Sequence, residues 1–319
     1  MRQFLRPRLP AGPRLRPLRL RPALAMRRPR RVWPLAACVL LGLLLAAGAR
    51  AETREVVLPD GRFYRIDLPA RSAGAPMILA LHGGGGNPGQ TARNSGLTAP
   101  ALARGYAMIF PAGTGRRLLT WNAGRCCGPA ARDRVDDVAY LDAVIDDAAR
   151  RFGLDGSRVF LTGMSNGSMM AERYAAERPD RVRAVAGVAG TMDLSIRVRG
   201  AVPLLHIHGT DDRSVPYAGG MGEGVARVPF DAVADLVAAW RRATRATGVA
   251  DRRVILPPPG GLRVVTEDWR DGRGRVMVRL VTIEGGGHVW PGGRRSQRGG
   301  EPPSISANDE VLRFFGAWR

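Results

Sequence analysis

Short, nearly continuous apolar segments alternate along this chain with longer segments of helical periodicity. Such apolar segments are typical of strands that are covered on both faces. Five are predicted as buried strands: Met77–Leu81, Tyr106–Phe110, Val159–Thr162, Ala184–Ala189 and Leu204–His208. Helical patterns cover residues 136–151, 167–177, 231–247 and 308–318. This alternation predicts an α/β fold with a doubly wound, mostly parallel sheet and helices on both faces.

Two further strand pairs flank this alternating region. Residues Arg54–Leu58 and Phe63–Leu68 enclose the turn Pro59-Asp60-Gly61 and predict an N-terminal β-hairpin. Arg263–Trp269 and Arg275–Ile283 flank an Asp-Gly turn and predict a second pair near the C-terminus.

Residues 1–51 have the layout of a secretory signal. An apolar run of 14 residues, 35–48, follows a cluster of four arginines and precedes the small-residue site Ala49-Arg50-Ala51. This run is short for a membrane span, and it predicts cleavage near Ala51-Glu52 and a secreted or periplasmic protein with no stable membrane insertion. Residues 1–25 lack periodicity, so Met26 is an alternative start to Met1; an uncleaved anchor is the alternative to cleavage. Residues 52–319 are then long enough for a single catalytic domain.

The net charge of +21 at first suggests a nucleic acid or an anionic surface as partner. All 49 basic residues are arginine, and twelve of them lie in residues 1–51, which hold no acidic residue. The remaining chain has 37 arginines scattered among 28 acidic residues. We therefore expect no nucleic-acid partner.

Only three cysteines are present, which excludes a disulfide scaffold. Cys38 is lost with the predicted signal. Cys126 and Cys127 are adjacent, and the sequence leaves open whether they form a vicinal disulfide or remain two buried thiols.

The segment Gly163-Met164-Ser165-Asn166-Gly167 matches the G-x-S-x-G pattern. A predicted strand runs into it and a predicted helix runs out, which is the context of a nucleophile elbow. The helix N-terminus directs its dipole and its free N–H groups toward the Ser165 oxygen. Ser165 is the candidate nucleophile, and the Asn166 N–H is a candidate oxyanion donor. The alternative is a glycine-rich turn without chemistry.

A serine hydroxyl needs a base, and the chain has four histidines. His288 lies in a glycine-rich loop after a predicted strand and is the best candidate. His82 opens a four-glycine loop of the type that supplies an oxyanion N–H, from Gly84 or Gly85. His206 and His208 lie in an apolar strand, where a structural role is favoured over a metal pair.

The base needs an orienting carboxylate. Asp212 follows the strand Leu204–His208 at the end where a doubly wound sheet places its chemistry, and Asp211 is a close rival. The order Ser165, Asp212, His288 is that of the α/β-hydrolases. No metal or organic cofactor is needed for this chemistry. Trp121 and Trp290 flank the motif segments and are candidates either for a substrate pocket wall or for core packing.

Several stretches together resemble a known group of enzymes. They are HGGGGN (82–87), WNAGRCCG (121–128), VDDVAYLDAVID (135–146), RVFLTGMSNGSMMA (158–171), HGTDDRSVPYAGG (208–220) and GGGHVWPGG (285–293). The chain resembles the secreted esterases of the polyhydroxybutyrate depolymerase family, which are related to feruloyl and acetylxylan carbohydrate esterases. The resemblance implies an α/β-hydrolase fold with Ser165 as nucleophile, Asp212 as acid and His288 as base, and it favours Asp212 over Asp211.

The chain departs from the family pattern at two places. Ser168 stands where the elbow is usually followed by another glycine, and the helix after the elbow lacks a cysteine that many relatives carry. The expected substrate is an ester, either a polyester oligomer or an acylated glycan. Alternatives are a feruloyl or acetylxylan esterase on plant polysaccharide, a peptidase of the same fold, and a non-catalytic binding protein on a hydrolase scaffold.

Overall fold

The computed structural model describes residues 52–224, 226–257, 259–294 and 305–319. The predicted signal peptide and both candidate start residues, Met1 and Met26, lie outside these ranges. No helix among the described residues is long and apolar enough to cross a membrane.

Ten strands of the described residues form one sheet, and two short strands pair separately. The ten are β1 (Glu52–Val57), β2 (Phe63–Leu68), β3 (Met77–Leu81), β4 (Ala107–Pro111), β5 (Val159–Met164), β6 (Ala184–Val188), β7 (Leu204–Gly209), β10 (Asp251–Ile255), β11 (Val264–Arg270) and β12 (Val276–Ile283). The separate pair is β8 (Gly220–Met221) with β9 (Pro229–Phe230).

The sheet is parallel at its centre and antiparallel at both edges. Its strand order is β1-β2-β4-β3-β5-β6-β7-β12-β11-β10. The six central strands from β4 to β12 pair in parallel. The N-terminal hairpin β1–β2 adds one antiparallel edge, and β11 with β10 adds the other. The doubly wound, mostly parallel sheet and its N-terminal hairpin are therefore as predicted.

Helices cover both faces of the sheet. They are α1 (Pro88–Ser95), α2 (Thr98–Ala103), α3 (Gly128–Arg132), α4 (Asp137–Phe152), α5 (Asn166–Glu177), α6 (Val233–Thr244) and α7 (Ala307–Gly316). Apolar residues of α4, α5 and α6 pack in one core, and residues of α1, α2 and α7 pack in a second core. Strand β3 alternates between the two cores, since Leu79 lies in the first and Ile78 in the second. Burial on both faces explains why its sequence is continuously apolar.

The helix ends follow local sequence signals. The Asp136 side chain caps α4 by accepting a hydrogen bond from the Ala139 N–H, and Gly153 ends that helix in the left-handed conformation. The Asn87 side chain caps α1 in the same way, with Pro88 at the first helical position. Helices α1 to α3 and strand β10 were not predicted, because each is short and lacks a clear apolar period.

The strand order reverses beside β3. The chain leaves β3 for β4 on one side and then crosses to β5 on the other. Loops that leave the carboxyl ends of two such strands diverge to opposite faces and open a crevice between them, which is where doubly wound sheets bind ligands. The four-glycine loop follows β3 and the G-x-S-x-G segment follows β5, so both border this crevice.

Candidate active site

Four predicted site segments lie at the carboxyl edge of the parallel sheet. The four-glycine loop follows β3, the Ser165 segment follows β5, the Asp212 loop follows β7 and the His288 loop follows β12. Because these strands are parallel, their carboxyl ends lie along the same edge.

Ser165 occupies a strained turn between β5 and α5. Its φ and ψ angles of 57° and −127° are rarely adopted by a residue with a side chain. The turn is held by the Ser165 N–H, which donates to the Val188 carbonyl at 2.9 Å, and by the Met169 N–H, which donates to the Ser165 carbonyl at 3.0 Å. The side chain remains partly exposed. This is the conformation of a nucleophile elbow, as the motif predicts.

The elbow requires glycine at close approaches of the backbone. A Cβ atom on Gly163 would overlap the Gly167 carbonyl group, and one on Gly167 would overlap the carbonyl oxygens of Leu81 and His82. Gly167 therefore allows α5 to pack directly against the end of β3. This contact also brings the four-glycine loop to the elbow.

Asp212 and His288 form a hydrogen-bonded pair. His288 Nδ1 lies 2.7 Å from Asp212 Oδ2, and the other carboxylate oxygen accepts the N–H groups of Ser214 and Val215 at 2.9 Å each. Asp211 is exposed and accepts a hydrogen bond from its neighbour Thr210 instead. Of the two rival aspartates, the structure thus places Asp212 on the histidine.

Hydrogen bonding keeps Asp212 ionised in a buried position. Burial by itself raises the pKa of this carboxyl, but the interactions with His208 and His288 outweigh it and hold the pKa well below its usual range. His288 is only 25% exposed. The pair therefore combines a fixed negative charge with an imidazole whose Nδ1 carries the proton that faces it.

Backbone hydrogen bonds fix the acid loop against the histidine loop. The Asp211 N–H donates to the Gly286 carbonyl at 2.9 Å, and the Gly285 N–H donates to Thr210 Oγ1 at 2.8 Å. A Cβ atom on Gly209 would overlap the Gly286 carbonyl. These bonds hold the loop that carries Asp212 against the loop that carries His288, and so help to set the position of the His288 imidazole.

The four-glycine loop lies against the elbow. A Cβ atom built on Gly83 would lie 3.6 Å from Ser165 Cβ, and one built on Gly84 would lie 3.8 Å from Asn166 Cβ. The Gly85 N–H donates to the Leu119 carbonyl at 2.8 Å. In this structure the Gly85 N–H therefore anchors the loop. Of the two predicted loop donors, Gly84 remains.

The His82 ring stabilises the four-glycine loop through hydrogen bonds at both of its nitrogens. The Gly113 N–H donates to His82 Nε2 at 2.9 Å, so Nδ1 carries the proton and donates to the Gly83 carbonyl at 2.8 Å. Burial lowers the pKa of His82 to about 4, so the ring is neutral at pH 7. His82 is a structural part of the loop.

Trp121 is fully buried. Its indole N–H donates to the His82 carbonyl at 2.9 Å, and the two rings are 4.9 Å apart. Trp290 is 8% exposed and its indole N–H donates to Asn308 Oδ1 at 3.0 Å. Both belong to the hydrophobic cores. Core packing is thus the observed role of both tryptophans, and Trp121 additionally holds the four-glycine loop through His82.

The Asn166 side chain has a role that the sequence pattern did not indicate. Its Oδ1 accepts a hydrogen bond from the backbone N–H of Trp121 at 2.7 Å, and its Nδ2 donates to the backbone carbonyl of Trp121 at 3.0 Å. These reciprocal bonds tie the first residue of α5 to the segment that carries Trp121. The backbone N–H of Asn166 lies in the first turn of α5, where helix N–H groups have no partner within the helix.

The sequence left open the state of the two cysteines, and it favoured a structural role for His206 and His208 over a metal pair. Cys126 and Cys127 form a vicinal disulfide in the structure. Within the described ranges, no group of three or more His, Cys, Asp or Glu side chains is arranged to hold a metal ion. His206 and His208 are buried in β7 and hydrogen-bond to each other at 3.1 Å between Nε2 and Nδ1.

Known proteins resemble this chain in sequence. Residues 68–223 match the profile of the phospholipase/carboxylesterase family. A protein of Nocardia uniformis subsp. tsuyamanensis named "Putative esterase NocK" is 33% identical over 292 residues, which cover 83% of this chain and 80% of that protein. Feruloyl esterase B of Piromyces equi is 28% identical over 229 residues, which cover 69% of this chain but 40% of that longer protein.

A solved structure shows the same fold. An acetyl xylan esterase from Aspergillus awamori matches 83% of this chain and 99% of its own chain with a TM-score of 0.57, at 16% sequence identity. This likeness confirms the predicted α/β-hydrolase fold. Because the Nocardia protein is more than 30% identical over most of its length and the family profile spans the elbow and the acid loop, the chain belongs to the phospholipase/carboxylesterase family of the α/β-hydrolase superfamily.

Proposed function

We propose that this protein is a carboxylic-ester hydrolase that works through an acyl-enzyme on Ser165. The observation that carries the proposal is the 2.7 Å hydrogen bond between His288 Nδ1 and Asp212 Oδ2, at the same sheet edge as the strained Ser165 elbow. A histidine oriented by a buried carboxylate, at the same sheet edge as a serine on such an elbow, supports activation of the hydroxyl group for acyl transfer.

In the proposed reaction, Ser165 Oγ attacks the ester carbonyl carbon while His288 Nε2 takes the hydroxyl proton. The imidazolium then returns this proton to the leaving alkoxide as the acyl-enzyme forms. In the second half, His288 takes a proton from water, whose oxygen attacks the acyl carbon, and Ser165 leaves with the proton. Asp212 keeps the imidazole in the required tautomer and stabilises its charged form.

The developing oxyanion is proposed to bind two backbone N–H groups, those of Asn166 and Gly84. The N-terminus of α5 adds the positive end of its dipole at the same place. Removal of one oxyanion donor typically costs about 10²–10³ in rate. Two hydrogen bonds hold the four-glycine loop before substrate binds: one from Trp121 to the His82 carbonyl and one from the Gly85 N–H to the Leu119 carbonyl. Less reorganisation is therefore needed in the transition state.

Adjacent aspartates provide a matched test of the proposed triad. We expect Ser165→Ala to lower kcat by about 10⁴–10⁶ and Asp212→Asn to lower it by about 10⁴. Asp211→Asn, one residue away and exposed, should leave kcat within about twofold. Hydrolysis of p-nitrophenyl acetate and butyrate by the purified protein measures all three. If Asp211→Asn and Asp212→Asn are equally active, the assignment of the acid is wrong.

For the substrate, we propose a polyhydroxybutyrate-type ester, with a feruloyl or acetyl ester of plant polysaccharide as the second candidate. The sequence motifs resemble depolymerases, whereas the match to Feruloyl esterase B supports the second class. Hydroxybutyrate oligomers, methyl ferulate, feruloylated arabinose, acetylated xylan and a peptide control separate the classes. A kcat/KM at least 100-fold higher for one class assigns the substrate, and preferential cleavage of the peptide would contradict both.

A binding protein on a hydrolase scaffold is the alternative of another class. Covalent labelling by a serine-directed fluorophosphonate distinguishes it, because labelling requires an activated serine. We expect stoichiometric labelling of the protein and none of Ser165→Ala. An unlabelled wild-type protein would favour the binding role.

We also propose that the chain is exported, as the layout of residues 1–51 predicts. N-terminal sequencing of protein expressed from Met1 and from Met26 tests this. Export with a mature end near Glu52 from both start residues supports the signal, and an intact N-terminus retained in the cell contradicts it.

A further inference from the structure

A continuous row of buried side chains connects the elbow helix to the acid loop. Glu172 Oε1 of α5 lies 2.8 Å from His206 Nδ1, and His206 Nε2 lies 3.1 Å from His208 Nδ1. All three side chains are at most 1% exposed. Glu172 lies about two helical turns after Ser165, so the row begins on the helix that directly follows the proposed nucleophile.

The far end of the row reaches the proposed catalytic acid. His208 Nε2 lies 2.9 Å from the Val215 carbonyl oxygen and 3.4 Å from Asp212 Oδ2. The Val215 N–H in turn donates to Asp212 Oδ1 at 2.9 Å. His208 therefore contacts Asp212 directly and also holds the residue whose backbone binds the other carboxylate oxygen.

This geometry permits only one arrangement of protons in an uncharged row. Both partners of His208 Nε2 are acceptors, so Nε2 carries the proton and Nδ1 of the neutral ring accepts. His206 must then donate through Nε2, which leaves its Nδ1 as an acceptor. Glu172 must hold the proton at the start of the row and donate it to His206.

The electrostatic surroundings agree with that assignment. Burial raises the pKa of Glu172 well above its usual value and lowers the pKa of His206 to about 3. Burial also lowers the pKa of His208, although Asp212 partly opposes this. The Met192 N–H donates to Glu172 Oε2 at 2.9 Å, which suits the carbonyl oxygen of a protonated acid.

The neighbouring residues leave space for this row. A Cβ atom on Gly187 of β6 would overlap Glu172 Oε1 and Ser168 Oγ. Glycine is therefore required where the Glu172 carboxyl group passes over β6 to reach His206 on β7. Ser168 donates to the Gly190 carbonyl at 3.0 Å and lies 3.4 Å from Glu172 Oε1. The residue that departs from the family pattern after the elbow thus borders the row.

We infer that Glu172, His206 and His208 form a proton-ordered positioning row for the catalytic acid, in which a protonated Glu172 fixes both imidazole tautomers so that His208 Nε2–H faces Asp212 and Val215. These are positioning residues, because none of them touches the reacting atoms. The row holds the Asp212 carboxylate in the orientation that His288 requires. The effect of the row on catalysis rests on the proposed ester hydrolase mechanism. The assignment of the protons within the row does not depend on that mechanism.

Paired substitutions at His208 separate its two contacts. An asparagine amide takes the place of Nδ1 and keeps the bond to His206, whereas a glutamine amide takes the place of Nε2 and keeps a donor toward Asp212. We expect His208→Asn to lower kcat about tenfold, with KM within twofold, because this variant lacks the donor toward Asp212. A tenfold loss corresponds to about 1.4 kcal/mol of transition-state stabilisation. His208→Gln should stay within threefold in kcat even if its melting temperature falls more. Equal losses of kcat in both variants would overturn the positioning role.

Substitutions at Glu172 test the proton at the start of the row. Glutamine is an uncharged donor, so Glu172→Gln should keep kcat within twofold, whereas Glu172→Met should lose about tenfold at unchanged KM. Glu177→Met, on the same helix at a partly exposed ion pair with Arg173, controls for loss of a carboxylate from α5. A Glu172→Gln variant as impaired as Glu172→Met would show that the ionised carboxylate is required and would overturn the assignment.

Nitrogen NMR of the ¹⁵N-histidine-labelled protein at pH 7 tests the protons without an activity assay. The chain has four histidines, and we expect Nε2–H tautomers for His206 and His208 and Nδ1–H tautomers for His82 and His288. An imidazolium at His206, or an Nδ1–H tautomer at His208, would overturn the proton order. If the tautomers are as expected but the protein lacks esterase activity, the proposed function fails while the row stands.

Discussion

Replacement of Asn166 by alanine should destabilise the protein while leaving the proposed oxyanion donor in place. Alanine keeps the backbone N–H of residue 166 and removes the two side-chain bonds to Trp121, which are 2.7 Å and 3.0 Å long. Both Asn166 and Trp121 are buried, at 1% and 0% exposure. The substitution therefore leaves the Trp121 backbone N–H without a partner in the core, whereas the Trp121 carbonyl still accepts the N–H groups of Ala123 and Cys127.

The size of the effect follows from the number of groups left without a partner. Each buried donor or acceptor that loses its partner costs about 1–3 kcal/mol. One such group, together with about 1 kcal/mol for the lost hydrogen bond to the Trp121 carbonyl, predicts a decrease of about 2–4 kcal/mol in the free energy of unfolding. At about 2–4 °C per kcal/mol for a large domain, the melting temperature should fall by about 4–16 °C.

Asn87→Ala is the matched control. It removes a single side-chain bond, from Asn87 Oδ1 to the exposed Gln90 N–H at the start of α1, and should cost about 1 kcal/mol. Urea denaturation followed by tryptophan fluorescence and circular dichroism gives both values. If Asn166→Ala costs no more than Asn87→Ala, the reciprocal bonds to Trp121 do not stabilise the elbow, and the reasoning is refuted.

Three further substitutions test other parts of the structure. Asp268→Ala should lower the free energy of unfolding by about 3 kcal/mol in urea, because it removes the carboxylate that binds the mostly buried Arg279 guanidinium at 2.6 Å and leaves that group only the longer 3.6 Å ion pair with Glu310; a loss below 1 kcal/mol contradicts this. The hydrogen bond from the Ser157 side chain is the main cause that lowers the pKa of Asp155 to about 2. Because this pKa is depressed in the folded state, the stabilisation is present above about pH 4 and is lost as the pH falls through 2. The difference in melting temperature between wild type and Asp155→Ala should therefore shrink over that interval, and a constant difference counts against it. Gly167→Ala should prevent folding or greatly reduce the melting temperature, because its Cβ overlaps two carbonyl oxygens, whereas Gly272→Ala, with open space around it, should not; equal melting temperatures would refute the close packing of the elbow.

The sheet was predictable because its strands are determined by local composition. The predicted strand Met77–Leu81 coincides with β3, and the other four buried strands differ from the structure by one or two residues at an end. A central strand with both faces covered must be apolar throughout, so its sequence signal is strong. Strand β10 is exposed along its whole length, and its sequence carries no such signal.

The candidate site was predictable to the level of residue types and loops. Glycines around Ser165 and after His82 mark places where the backbone turns or approaches another chain segment, and these are properties of the local sequence. The roles of Trp121 and Glu172 were not predictable, because their partners lie 39 and 34 residues away along the chain. An indole or carboxyl group gives no sign in the sequence of which distant atom it will meet.

The sequence by itself determined the order of strands and helices and the small set of side chains able to activate a hydroxyl group, since apolar continuity, glycine positions and the scarcity of histidine can all be read locally. Only the tertiary structure decided that the Trp121 indole binds the His82 carbonyl and that Leu119 occupies the Gly85 N–H. Each of these choices depends on the direction of one hydrogen bond between loops that follow different strands. Such directions are set when the sheet brings the loops together, and no segment of the chain contains them alone.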